Sequence, residues 1–326
     1  MRGRSSRRCM ADLRATVVIC TRNRARTLAR ALEALCVLRV PALTAWEVLV
    51  VDNASTDSTP DVVARYHDRL PMRSVIAPQL GLSNARNLAV AEAHGEYLLW
   101  IDDDAVPHGE WLAAYLTAFE AWPVAAVFGG PIDVAFDAPV PDWFARVLPR
   151  VAPLYAQREL GDVDAPLVAH EETLPFGTNY ATRKLDQRRY AYDPALGRHP
   201  DHPHRGSEET KVMLAMLNSG LAGRWVSQAR VTHLLDADRA STEFIARHSC
   251  SYGVYRAQHF PYPGIRVGGV PVRTWWRAAY SASRYAWTSR RAPPEMWIED
   301  LIQRSEAIGN VLGLLALRRE HRARAS

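Results

Sequence analysis

Leu98-Leu99-Trp100-Ile101-Asp102-Asp103-Asp104 is an apolar run that stops in three consecutive carboxylates. Such a run reads as a buried strand that delivers a charge cluster to one edge of a sheet. Adjacent carboxylates repel, and Asp is rarely buried without a partner, so the cluster calls for a cation. A short set of oxygen ligands favours a hard divalent ion, Mg2+ or Mn2+, usually shared with a phosphorylated ligand. A solvated acidic turn is the competing reading, and the flanking sequence decides between them.

Outward from this run, short β-branched stretches alternate with Ala- and Leu-rich helical ones. Strands are expected at 16–20, 48–51, 73–77, 97–101 and 125–128, and helices at 27–38, 59–66, 83–94 and 110–121, with Ser83 and Thr59-Pro60 as helix starts. Strict alternation implies βαβ units and an α/β fold with a mostly parallel sheet flanked by helices. Ligands of such sheets bind beyond the carboxyl ends of the strands. There the first strand ends in Cys20-Thr21-Arg22-Asn23, the second in Asp52-Asn53-Ala54-Ser55-Thr56-Asp57, and the fourth in the three aspartates. An isolated acidic turn would not account for that convergence.

The 326 residues allow one large domain with an extension, and 48% hydrophobic with 23% charged residues is ordinary for a globular chain. No window approaches the roughly 20 apolar residues of a spanning helix. Cys9, Cys20, Cys36 and Cys250 form no CxxC pair, which fits a cytoplasmic protein. The net charge of +5 owes much to arginines at residues 2–8 and 318–324, read as solvated arms; no nucleic acid is expected as a partner.

The alternation breaks after Gly129-Gly130-Pro131. Residues 136–172 read as an insertion, and 174–181 as a strand interrupted by Gly177, where backbone can approach a ligand. The 192–206 loop carries His199, His202 and His204 in no familiar zinc spacing. A helix over 207–217 has Ser207 as its cap and Glu208 and Glu209 in its first turn, and 223–226 with 230–234 form an expected strand pair that includes His233. Domains are thus expected at 12–236 and 237–326, the second a helical extension over 241–260, 273–288 and 294–317. Its interleaved Trp and Arg, as in Trp275-Trp276-Arg277, suit a peripheral contact with the inner face of a membrane, packing on the domain, or a homo-oligomer.

Four segments in order resemble family 2 glycosyltransferases of the GT-A, Rossmann-like fold. They are Val17-Val18-Ile19-Cys20-Thr21-Arg22-Asn23-Arg24, Val50 to Asp57, Gly81-Leu82-Ser83-Asn84-Ala85-Arg86-Asn87 with Gly95-Glu96-Tyr97, and the aspartate run, which matches the family's DxD motif. Phe176-Gly177-Thr178-Asn179-Tyr180 is similar to the strand before the family's acceptor region. Glu208-Glu209 stands where the family carries Glu-Asp, a departure that moves the second carboxylate one methylene outward.

The resemblance implies an inverting, metal-dependent transfer from a UDP- or dTDP-sugar to an acceptor hydroxyl that the sequence leaves unidentified. Asp104, Asp102 and His233 are the implied metal ligands, with Mn2+ or Mg2+ as cofactor. Thr21, Asn23, Asp52, Arg86, Asp102, Asp103 and Asn179 are the implied donor contacts, although Asp103 is the member of its run expected to face solvent. Glu209 is the implied base and Glu208 its alternate, since adjacent glutamates are not ranked by spacing. Two rivals remain: a nucleotidyltransferase, which ordinarily wants a Gly-rich phosphate loop after the first strand, and a non-catalytic basic module binding membrane or nucleic acid.

Overall fold

The computed structural model describes residues 13–202 and 206–325, with side chains to 319; the arginines of residues 2–8, His204 and the basic side chains of 322 and 324 lie outside the described residues. In chain order the first strands and helices are β1 (Ala15–Thr21), α1 (Ala25–Cys36), β2 (Trp46–Asp52), α2 (Thr59–Tyr66), β3 (Met72–Ile76), α3 (Leu82–Glu92) and β4 (Tyr97–Ile101). There follow β5 (Ala105–Pro107), α4 (Trp111–Ala121), β6 (Ala125–Gly129), β7 (Ile132–Phe136), α5 (Asp142–Val151), β8 (Ala165–Pro166), β9 (Asn179–Arg183) and α6 (Lys184–Gln187). The remainder is α7 (Glu208–Asn218), β10 (Ala222–Trp225), β11 (Val231–Leu235), α8 (Thr242–His259), β12 (Arg266–Val267), β13 (Val270–Pro271), α9 (Val272–Thr288) and α10 (Pro294–Ala325).

The large sheet has the order β3-β2-β1-β4-β9-β6-β10-β8. β3, β2, β1 and β4 are parallel, as are β6 and β10, whereas β9 runs antiparallel between β4 and β6. Strand periodicity separates two cores. Val17, Ile19, Val48, Val50, Leu99 and Ile101 pack against one set of helical side chains, and Val18, Leu49, Val51, Leu98 and Trp100 against another. On the first face α1 presents Leu28, Ala31, Leu32 and Leu35, the i, i+3, i+4, i+7 stripe of a helix with one buried side.

Several local expectations change. Ser83 is buried inside α3, whose cap position belongs to Gly81 at φ 111°, a conformation that favours glycine. Ser207 takes a left-handed conformation and makes no side-chain cap to α7. The expected pair of strands around His233 is divided: β10 joins the large sheet beside β6, while β11 lies between β5 and β7 in a separate three-stranded sheet. Turn chemistry is local, but strand partnership is not, so alternation alone did not assign it.

The chain forms two compact units, one of residues to Ala135 with Ala156–Leu234, the other of Phe136–Tyr155 with Leu235 onward. The expected insertion is therefore split. Its second half stays with the sheet, where β8 pairs with β10. Its first half joins the helical unit because α5 buries Phe144, Val147 and Val151, and the rings of Phe136, Phe144, Tyr155 and Phe244 pack edge-to-face or stacked. Arg146 also pairs with Glu295 at 2.5 Å. Within this unit α8 and α10 cross so closely that a Cβ on Gly309 would lie 2.0 Å from the Cys250 carbonyl oxygen. Among the described residues no helix is long and apolar enough to cross a membrane.

Gly95 sets the start of β4 against β1. Its N–H donates to Thr16 Oγ1 at 2.8 Å, and a Cβ there would lie 2.4 Å from the Thr16 backbone nitrogen. Because the neighbour is backbone, Gly95→Ala should lower unfolding stability by about 1–3 kcal/mol, read from the urea midpoint at constant m-value; an unchanged midpoint refutes this packing account.

Candidate active site

The alternation of β4 continues one residue past its end and then turns, which divides the three aspartates between the two faces of the sheet. Asp102 follows Leu98 and Trp100 to the face of α3, and accepts from Thr178 Oγ1 at 2.8 Å. Asp103 and Asp104 turn toward α1. Asp103 accepts from Thr21 Oγ1 at 2.7 Å, and Arg24 lies 3.3 Å from Asp103 Oδ1 and 2.5 Å from Asp104 Oδ2. Asp103, expected to face solvent, is only 4% exposed, and burial pushes its carboxyl up to about 7 although Arg24 pulls the other way. Asp102 is the member of the run most open to solvent.

Pairing of β5 with β11 places Ala105 opposite His233, and the Leu234 N–H donates to the Asp104 carbonyl oxygen at 2.8 Å. His233 Nε2 thereby comes within 3.3 Å of Asp104 Oδ1. One carboxylate and one imidazole suit a hard divalent ion that takes its other positions from water and phosphate oxygens. Asp102 is not drawn into that pair, for its nearest cation is Arg86, and among the described residues no three His, Cys, Asp or Glu side chains converge as a metal cluster. The donor set fits a metal as an Asp104–His233 pair rather than as the expected three-ligand group.

On the other face Arg86, 3% exposed, extends from α3 to the start of α7. Its Nη1 donates to Glu208 Oε1 at 2.8 Å and to Glu209 Oε2 at 3.4 Å, and its Nη2 lies 3.8 Å from Asp102 Oδ1. The rings of Trp100, Tyr180 and Tyr192 lie 5.6–6.0 Å from the guanidinium. Burial opposes the Arg86 charge, but the Tyr180, Glu208 and Glu209 groups around it hold its pKa well above the ordinary value. Burial first, and then the charge of Glu209, push Glu208 up to about 7 against the pull of Arg86. Glu209 is more exposed than Glu208 and accepts from the Gly177 N–H at 3.2 Å. A Cβ on Gly177 would fall 2.7 Å from Arg86 Nη2. The glycine thus lets the backbone lie against the Arg86 and Glu209 side chains.

Thr21, Asp52, Arg86 and the aspartates all lie along this carboxyl edge. Asp52 is 7% exposed and accepts from the Ser55 N–H at 2.8 Å. Asn23 is exposed, with φ 52°, and its side-chain oxygen accepts from the Thr56 N–H at 2.7 Å, latching the loop after β1 to the loop after β2. Asn179 departs from expectation. It is fully buried: Trp111 Nε1 and the Tyr115 hydroxyl both donate to its Oδ1 at 2.9 Å, while its Nδ2 donates to the Pro131 and Ala229 carbonyls at 3.0 and 2.7 Å. With its hydrogen-bonding capacity used inside the core, it holds β9 in place rather than contacting a donor. Two residues not counted in the site, Arg24 and Thr178, do belong to it. Both stand inside quoted motifs, yet a loop arginine and a threonine in the turn before β9 carry no individual sequence signal.

Residues 16–169 match the family described as Glycosyl transferase family 2. That segment is 154 of the 326 residues, just under half of the chain. Among its relatives, the succinoglycan biosynthesis protein ExoM of Rhizobium meliloti is 30% identical over 127 residues, 38% of this chain and 40% of ExoM. Validoxylamine A glucosyltransferase of Streptomyces hygroscopicus is 37% identical over 105 residues, 32% of this chain and 25% of the relative. The matched stretches thus span well under two thirds of these relatives. Beyond the family 2 segment, the fold is shared with the mannosyltransferase PcManGT of Pyrobaculum calidifontis, solved with GDP-Man and Mn2+, at TM-score 0.56 and 20% identity over 93% of this chain and 87% of that one. S. aureus TarS 1–349 in complex with UDP gives TM-score 0.53 at 16% identity over 94% and 92%. The architecture is GT-A.

Asn179→Leu should strand three buried partners, Trp111 Nε1, the Tyr115 hydroxyl and the Ala229 carbonyl, since the Pro131 carbonyl keeps the Val231 N–H, each unsatisfied group costing about 1–3 kcal/mol before relaxation. The expected result is a loss of at least about 3 kcal/mol in urea unfolding; a variant of wild-type stability would return Asn179 to the list of ligand contacts.

Proposed function

We propose that the chain is an inverting glycosyltransferase that moves a sugar from a nucleotide-diphosphate sugar, UDP- or dTDP-linked, to an acceptor hydroxyl. The observation that carries this reading is the meeting, around Arg86, of the aspartate run with Glu209. One edge of the sheet then holds the groups for a charged leaving group beside a carboxylate for the incoming hydroxyl. The family match over 16–169 and the nucleotide complexes of PcManGT and TarS support the donor class.

Asp52 accepts the imino N–H of the pyrimidine, and Asp102 holds the ribose. Departure of the nucleoside diphosphate builds negative charge at the carboxyl edge of β1 and β4. Arg24 is the cation already there, and Asp104 with His233 would hold a divalent ion, which supplies Lewis-acid neutralisation of the diphosphate when bound. Glu209 takes the proton of the acceptor hydroxyl as that oxygen attacks the anomeric carbon opposite the leaving group, which inverts the centre. Glu208 acts through Arg86, keeping the guanidinium beneath Glu209. Of the two glutamates the more exposed one serves as base, because the acceptor oxygen must reach it.

Thermal-shift screening of UDP-, dTDP- and GDP-sugars with and without Mn2+ tests the donor site. Saturation at a hundredfold excess over Kd adds about 2.7 kcal/mol to stability, and that gain should depend on Mn2+ and disappear in Asp104→Ala. Stabilisation that is equal with chelator removes the metal from the proposal, and none with any nucleotide sugar removes the donor site itself. Glu209→Gln should keep donor binding while transfer falls by at least about a hundredfold.

The acid limb gives an independent test. Burial and the charge of Glu209 raise the Glu208 carboxyl to about 7, so Glu208 gains a proton, and its charge beside Arg86 is lost, as pH falls through that region. Transfer should therefore decline as pH falls through about 7. Glu208→Gln has no carboxyl to titrate there and should remove that decline; a decline that persists unchanged in the variant excludes Glu208 as its source.

A further inference from the structure

The helical unit carries a surface that glycosyl transfer does not use. On α9 Thr274 and Ser281 are buried, and Ala278 and Tyr285 are partly so. Val272, Trp276, Tyr280 and Trp287 fall on the opposite side, within about 80° of arc at 3.6 residues per turn, with exposures of 47, 67, 50 and 61%. The rings of Trp276 and Tyr280 stack at 5.2 Å. The start of the β12–β13 hairpin lies beside this face. The Val272 N–H donates to the Ile265 carbonyl at 2.9 Å and Trp275 Nε1 to the Val267 carbonyl at 3.1 Å, which leaves the Ile265 and Val267 side chains exposed beside the start of α9.

The charges that this stretch of chain carries beside the apolar face are of one sign. Residues 261–293 contain Arg266, Arg273, Arg277, Arg284, Arg290 and Arg291 but no Asp or Glu, and all six arginines are exposed. Asp300 matches Arg284 at 2.8 Å, whereas Arg273, Arg290 and Arg291 have no carboxylate at ion-pair distance among the described residues. The Arg291 guanidinium lies 4.9 Å from the Trp287 ring. A second copy meeting this face across a two-fold axis would set arginines against arginines. Exposed Trp and Tyr with aliphatic neighbours and a basic flank suit the boundary between headgroups and acyl chains.

From this we infer that the Trp276–Trp287 face of α9, with Ile265 and Val267, is a docking surface for an anionic lipid bilayer. The aromatic side chains enter the interface, and the arginines engage lipid phosphates. The helix lies on the bilayer and does not cross it. This inference stands apart from the proposed reaction, so failure of either leaves the other in place.

Co-sedimentation of the full chain with vesicles of phosphatidylcholine alone, and of an equimolar mixture with phosphatidylglycerol, tests it. Binding should require phosphatidylglycerol and weaken as salt rises. Trp276→Ala/Trp287→Ala keeps every charge and should abolish it, while Arg273→Gln/Arg290→Gln should weaken it about thirtyfold. Both variants replace exposed side chains, and their far-UV circular dichroism and thermal midpoint should match those of the wild type. Three results overturn the proposal: no binding to the anionic vesicles, undiminished binding by the tryptophan variant, or conversion of a dimer to a monomer by that variant in light scattering. The last would assign the face to a second copy.

Discussion

Arg86 places a full positive charge at a position 3% exposed, and Glu208, Glu209, Asp102 and three aromatic rings surround it. Removing one partner from a buried pair of this kind costs roughly 3–5 kcal/mol, because the other charge is left desolvated. The exposed Arg39–Glu110 pair, by contrast, belongs to a class worth about 0–1 kcal/mol. Arg86 therefore links the end of β4 to the start of α7, segments more than a hundred residues apart in the chain. One cation among three carboxylates also leaves an excess of negative charge. Burial first, and then the charge of Glu209, raise Glu208 to about 7.

The antiparallel β9 completes this arrangement. Lying between β4 and β6, it brings Thr178 to Asp102 and the Gly177 backbone to Glu209. Its own position depends on Asn179, which ties it to α4 and to the loops at Pro131 and Ala229. A polar residue near a crevice thus serves as a core fastener, and its full set of partners is what distinguishes the two roles. On the opposite face the β5–β11 pairing delivers His233 to Asp104, so the two halves of the aspartate run are served by different sheets.

Much of the crevice was legible before any coordinates. Thr21, Asp52 and the aspartates ended strands whose alternation with helices required a common edge, and β4 and α2 begin and end where the pattern places them. Arg24 and Thr178 were not legible as site residues, since each acquires meaning only from a carboxylate some eighty residues away in sequence. The split of 136–172 was likewise hidden: an amphipathic stretch shows that α5 has a face to bury, but not against which unit.

The sequence by itself determined the alternation of strands and helices, the carboxylates at the strand ends and the glutamates opening α7, because these follow from side-chain periodicity and local backbone preference. Tertiary structure decided which carboxylate meets which cation, that Asp103 is enclosed while Asp102 is open, and that Asn179 faces the core. The physical reason is one of range: hydrophobic periodicity acts over a few residues, whereas burial, charge pairing and hydrogen-bond satisfaction are properties of neighbours brought together only by the completed sheet.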